Sequence, residues 1–145
     1  MGAAAAMFGI ETNPLGVRLT LGEHVRQGKR YKVPIMVQIP FQKIQMVSDG
    51  STYNAQLTIL VTVSAGKEGL SDPQRFDLPI QISNSQILAA RSQAAAYPVD
   101  LLLDPGQQQV AIAVRDHLAQ SASVVSLPVQ VGDVKGKKKK KGKKG

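Results

Sequence analysis

Two antiparallel β-sheets packed face to face are what this 145-residue chain predicts, and three observations carry that expectation. Apolar residues recur at a spacing of two rather than near 3.6. The longest run is Tyr53 to Val63: Tyr53, Ala55, Leu57, Ile59, Val61 and Val63 share one face, Asn54, Gln56, Thr58 and Thr62 the other, and Leu60 is the only large apolar residue among the latter. Turn-forming groups punctuate the runs, at Asn13-Pro14, Asp49-Gly50 and Asp104-Pro105-Gly106. With 43% hydrophobic residues but only 4% aromatic and no Trp, the core must be Val, Ile and Leu, types that favour strands when β-branched. The length suits one domain.

Taken in order, residues 1–13 have no usable period. Ala3 to Ala6 could extend a helix with nothing to bury it, so a flexible N-terminus is expected. Asn13 to Gly16 is a turn, and Val17, Leu19 and Leu21 alternate with Arg18 and Thr20 as a first strand. In the next, Tyr31, Val33, Ile35, Val37, Ile39 and Phe41 share one face, with Lys32, Pro34, Met36, Gln38 and Pro40 opposite. Prolines cannot donate to a ladder, so this strand is expected at an edge or with a bulge near Pro40. Asp49-Gly50 between alternating runs predicts a type I′ hairpin, with positive φ at both central positions. After a loop through 65–73, Phe76, Leu78, Ile80 and Ile82 form a strand with Pro79 on its outer face.

A short helix is expected near 85–93, capped by Asn84 or Ser85 and held by Ile87 or Leu88 in the core. Tyr97, Val99, Leu101 and Leu103 resume the strand period. Asp104-Pro105-Gly106 suits a type II turn. Val110, Ile112 and Val114 lead through a connection at 115–121 to Val125, Leu127, Val129 and Val131, with Pro128 outward. Seven or eight strands and at most one short helix describe an immunoglobulin- or fibronectin III-like β-sandwich over 14–133, followed by a disordered Lys/Gly tail over 134–145.

The net charge of +8 resides entirely in that tail. Eight of the 18 Lys and Arg are Lys135, Lys137, Lys138, Lys139, Lys140, Lys141, Lys143 and Lys144, and the remaining ten balance ten Asp and Glu. The folded part is neutral, so the basic pI describes an appendage and not a basic face. Eight ammonium groups on a chain without apolar residues attract polyanions through counterion release: nucleic acid, anionic lipid or acidic polysaccharide. Without aromatic residues to stack on bases, the tail does not read sequence. A solubilising role without a partner is the alternative. No Cys is present, which excludes disulfides and thiolate chemistry. No stretch approaches the ~18 apolar residues of a spanning helix, so the chain is not expected to be transmembrane, and the N-terminus lacks the features of a secretory signal.

The segments NPLGVRLTLG, YKVPIMVQIP, the Asp-Pro-Gly turn and above all VAIAVRDHLAQSASVVSLPVQV carry a resemblance. Over about residues 8–133 the chain resembles the C-terminal immunoglobulin/fibronectin-like module of bacterial, acidobacterial-type von Willebrand factor type A-related proteins. A late V-x-V-x-V-R-D strand of that family matches Val110, Ile112, Val114, Arg115 and Asp116. The Asp-x-Ser-x-Ser metal site of the type A domain has no counterpart here, so its cation-dependent adhesion does not transfer. The family's Gly-bearing turn after Arg-Asp is replaced by Ala119-Gln120. The resemblance implies a detached C-terminal module, and an envelope or secreted location.

Candidate chemistry is sparse. His24 and His117 fall in expected loops, and metal binding would require both to converge with carboxylates such as Glu23 and Asp116. Ser48, Ser51 and Ser121 sit in turns without a G-x-S-x-G elbow, and no phosphate-cradling glycine motif occurs. Gly28-Lys29-Arg30 with Lys32 is a small basic patch expected to be solvated. Arg115-Asp116 is expected to be an ion pair that pins the turn between the last two strands, in preference to a pair of contact residues. No cofactor, no metal and no catalytic residue is predicted. The expected role is a non-catalytic interaction module contacting another protein or domain through loops or a sheet face. The alternative is a polyanion tether in which the sandwich carries the tail.

Overall fold

The structure is a computed structural model that describes residues 12–64 and 73–132. Of the N-terminus expected to be flexible over 1–13, residues 1–11 lie outside the described residues, as do the loop 65–72 and the tail after 132; Thr12 and Asn13 are instead held, by Val124 and Val17. Nine strands follow in order: β1 (Arg18–Leu21), β2 (Val25–Gln27), β3 (Arg30–Pro40), β4 (Val47–Ser48), β5 (Thr52–Ser64), β6 (Gln74–Ser83), β7 (Ala94–Leu103), β8 (Gly106–Asp116) and β9 (Ser121–Val131). A single helical turn, α1 (Ile87–Ala90), precedes β7. In the first sheet β3 is flanked by β1 and β2 on one side and β7 on the other. In the second, β6 and β8 flank β5, β4 extends the β8 side, and β9 lies beyond β8. All pairings are antiparallel, so nine strands occupy seven positions in an immunoglobulin/fibronectin III-like sandwich.

The alternation read from sequence is the alternation of burial. Val33, Ile35, Val37 and Ile39 of β3, and Val99 and Leu101 of β7, face Leu57, Ile59 and Val61 of β5 and Val110, Ile112 and Val114 of β8, all essentially without solvent exposure. Leu60 stands on the outer face, as expected. Burying each such aliphatic contributes about 1.5–3 kcal/mol, and the sum holds the sheets together. One open side is closed where Phe76 of β6 meets Tyr97 of β7, ring centroids 5.7 Å apart. The other is closed where Thr12 bridges Val124 and the Leu15 amide donates to Ser123 Oγ at 2.9 Å.

Three expectations are corrected. β3 is the centre of its sheet and not an edge, despite two prolines. The Gly22 amide donates to the Pro34 carbonyl at 2.8 Å, so Pro34 turns its missing N–H toward the β1–β2 flank. That flank is interrupted there, between Leu21 and Val25, and no donor is missed. A Cβ on Gly22 would come within 2.8 Å of Pro34 Cγ, so only glycine passes this point unstrained. Pro40 ends the strand and opens a 3-10 turn over Phe41–Lys43. Pro128 lies on β9, an edge strand.

The Asp49-Gly50 hairpin forms, but not as type I′: Gly50 alone has positive φ, and Ser48 pairs with Tyr53 across a four-residue loop. The Asp49 carboxylate accounts for the difference. It accepts from the amides of Thr52 and Ser51, from both their hydroxyls and from Asn54 Nδ2. These bonds, the Thr52 amide first and the Ser51 amide next, hold its pKa well below the usual carboxylate range. The helix is shorter than expected, and neither Asn84 nor Ser85 caps it through a side chain. Leu88 is 75% exposed and Ala90, not Leu88, is the buried residue; Ile87 is half-buried.

Candidate functional site

Strand directions gather the β3–β4 crossing, the β4–β5 turn, the β6–β7 crossing and the β8–β9 turn at one end of the sandwich. These connections are tied to one another. The Phe41 amide donates to the Gln93 carbonyl at 3.0 Å, joining the two crossings. Asn84 donates from its amide to Ser51 O and from Nδ2 to Gly50 O, joining the second crossing to the β4–β5 turn. Asp116 joins the first crossing to the β8–β9 turn. Its Oδ2 accepts the Gln45 amide at 2.8 Å, and its Oδ1 accepts the amides of Leu118 and Ala119 at 3.1 and 3.3 Å.

Asp116 is fully buried, and its placement follows from strand geometry. It shares parity with Val110, Ile112 and Val114, so it points inward while Arg115 points out into solvent. Adjacent strand residues face opposite ways, which corrects the ion-pair version of the Arg115-Asp116 expectation. Asp116 pins the turn through backbone amides, and Arg115 takes no part. Gln120 adopts φ 53°, supplying in the β8–β9 turn the left-handed conformation for which glycine is the usual residue.

Between these tied loops lies an open groove of about 490 Å³. Phe41, Ile44 and Met46 from the first crossing form one wall, Ile87 and Arg91 from the α1 region the other, with Tyr53 of β5 and Gln42 completing it. The lining mixes apolar side chains with Gln42, Tyr53 and one cation, Arg91, and the volume lies in the range of about 300–1,000 Å³ usual for ligand sites. Arg91 makes no ion pair among the described residues, where only Arg30–Asp104 and Arg75–Asp77 are paired. None of these groove residues was singled out as a site from sequence. No sequence signal marked them, because Phe41 continues the alternation of β3 in sequence and leaves it only at the 3-10 turn over Phe41–Lys43.

A second polar group lies on the outer face of the second sheet. Thr58 Oγ1 donates to Asp77 Oδ1 at 3.1 Å and is 2.6 Å from His117 Nε2. Arg75 and the Thr58 hydroxyl hold the Asp77 pKa below its ordinary value, so Asp77 is an acceptor. The single hydroxyl proton therefore goes to Asp77, and Nε2 is the donor to Thr58. In a hydrolytic triad the carboxylate sits on the imidazole and the imidazole accepts from the hydroxyl. Here the order is reversed: the carboxylate sits on the hydroxyl and the imidazole does not accept from it. His24 lies in the gap between β1 and β2 of the other sheet, so the two histidines do not share a ligand set. No three His, Asp or Glu side chains gather as a metal site among the described residues. Arg30 of the small basic patch is exposed, as expected, and also pairs with Asp104 at 3.0 Å.

No family model and no curated protein matches the chain. Among solved structures the chain is similar to the X-ray structure of Northeast Structural Genomics Consortium target SoR45. That match has a TM-score of 0.49 and 10% sequence identity, over 79% of this chain and 85% of the other. Among the described residues no helix is long and apolar enough to cross a membrane.

Proposed function

We propose that this protein is a non-catalytic interaction module, similar in role to the C-terminal sandwich of bacterial von Willebrand factor type A-related proteins. In this reading it contacts another protein or domain through the tied end of the sandwich. The groove between the two crossings supports this most: it is concave, mostly apolar, and walled by loops already hydrogen-bonded in place. Walls fixed before binding reduce the ordering cost that a partner must overcome. Sandwiches commonly present recognition loops at one end of a rigid scaffold.

The charge distribution favours a second reading, a polyanion tether acting through Lys135, Lys137, Lys138, Lys139, Lys140, Lys141, Lys143 and Lys144. Gly132, the last described residue, lies against Tyr31 and Pro105 at the end of the sandwich opposite the groove. The two modes are therefore separable. Deleting 134–145 should abolish salt-sensitive binding to heparin or duplex DNA and leave a groove-dependent partner bound. Replacing Ile87 with Ser should do the reverse. A partner lost with the tail and indifferent to Ile87 would replace the first reading with the second.

A further inference from the structure

Building on the interaction-module reading, we infer that the groove takes an extended peptide segment of a partner in which a bulky apolar side chain stands next to a carboxylate. The apolar part is set by Phe41, Ile44, Met46 and Ile87, which offer one aromatic ring and three aliphatic surfaces. The acidic part is set by the rim. Arg91 lines the groove, is exposed, and makes no ion pair among the described residues.

Among the described residues, the two carboxylates on the connections of this end are already committed. Asp49 accepts from two amides, two hydroxyls and Asn54, and Asp116 from three amides. Neither supplies a counter-charge to Arg91, so among the described residues the groove carries a cation with no ion pair. A guanidinium prefers a carboxylate, which it can grip with two parallel N–H donors. Gln42 at the same rim supplies an amide suited to a peptide backbone.

The test is an amide-resolved NMR titration of the full chain with three blocked dipeptides: acetyl-Phe-Asp-amide, acetyl-Phe-Asn-amide and acetyl-Ala-Asp-amide. The first should shift the amides of Gln42, Ile44, Ile87 and Arg91. The second should bind the same residues about tenfold more weakly, the factor corresponding to one charge-assisted hydrogen bond. The third, lacking the anchor, should leave these amides unmoved, which separates groove binding from attraction to the lysines. Arg91→Gln should bring the Asp peptide down to the Asn peptide's affinity without weakening the latter. Equal affinities for the first two peptides, with both lost in Ile87→Ser, would overturn the carboxylate preference and leave the interaction-module reading standing. No shift at the groove amides with any peptide would overturn the inference outright.

Discussion

At one end of the sandwich, four connections are joined by side chains and amides that reach from one loop to the next: Asp116 to Gln45, Phe41 to Gln93, Asn84 to Gly50 and Ser51. At the other end, among the described residues, the Gly28-Lys29 hairpin and the Asp104-Pro105 corner are held mainly by local geometry. Gly28 and Gly106 have positive φ, Gln108 Nε2 donates to Asp104 O at 2.9 Å, and the Arg30–Asp104 pair is more than half exposed on both sides. An exposed pair of that kind contributes only about 0–1 kcal/mol. The difference lies in reach: the buried Gln108 bonds within its own corner, whereas the buried Asp116 bonds from one connection to another. The full burial of Asp116 is tolerated because three amides satisfy it, and its effect is to hold the groove's wall in place.

Asp116→Ala should produce the largest effect. Removing the shared acceptor strands three amides and should cost about 3 kcal/mol in urea unfolding, with the change in exchange centred on Gln45, Leu118 and Ala119. Gly22→Ala acts away from both ends, where a Cβ meets the Pro34 ring. The forced shift should cost about 1–2 kcal/mol, seen as a lower urea midpoint without loss of the Asp116 bonds. Gln120→Gly should work in the opposite direction, stabilising by about 0.5–1 kcal/mol, because glycine occupies positive φ without strain. The smallest effect concerns Asp49. Its pKa is lower folded than unfolded, so the associated stability is present above the unfolded value near ~3.9 and is lost as pH falls through the folded value. Asp49→Asn should flatten the fall in stability below about pH 4, and the wild-type carboxyl, followed by 13C NMR, should titrate well below the usual range.

The strands were legible because burial and sequence parity are the same fact: Leu57, Ile59 and Val61 could not be shifted by one residue without reversing every neighbour. Order within the sheets was not legible from proline content. Whether Pro34 costs a hydrogen bond depends on the side its nitrogen faces and on what lies there, a property of the partner flank. Turn type at Asp49-Gly50 was misread for a related reason, since the Asp49 side chain binds amides beyond the dipeptide and selects a longer loop. The burial of Asp116 was available in principle, through its parity with Val110 to Val114. The groove was not, because its walls are about 40 residues apart in sequence and meet only once both crossings lie at the same end.

Amide hydrogen exchange at Gln45, Leu118 and Ala119 tests most directly whether the groove end is built before any partner arrives. If Asp116 holds these three amides as described, they exchange nearly as slowly as the core amides of Ile59 and Ile112, and Asp116→Ala releases all three together. Exchange at the rate of an unstructured peptide in the wild-type chain would contradict a preformed site.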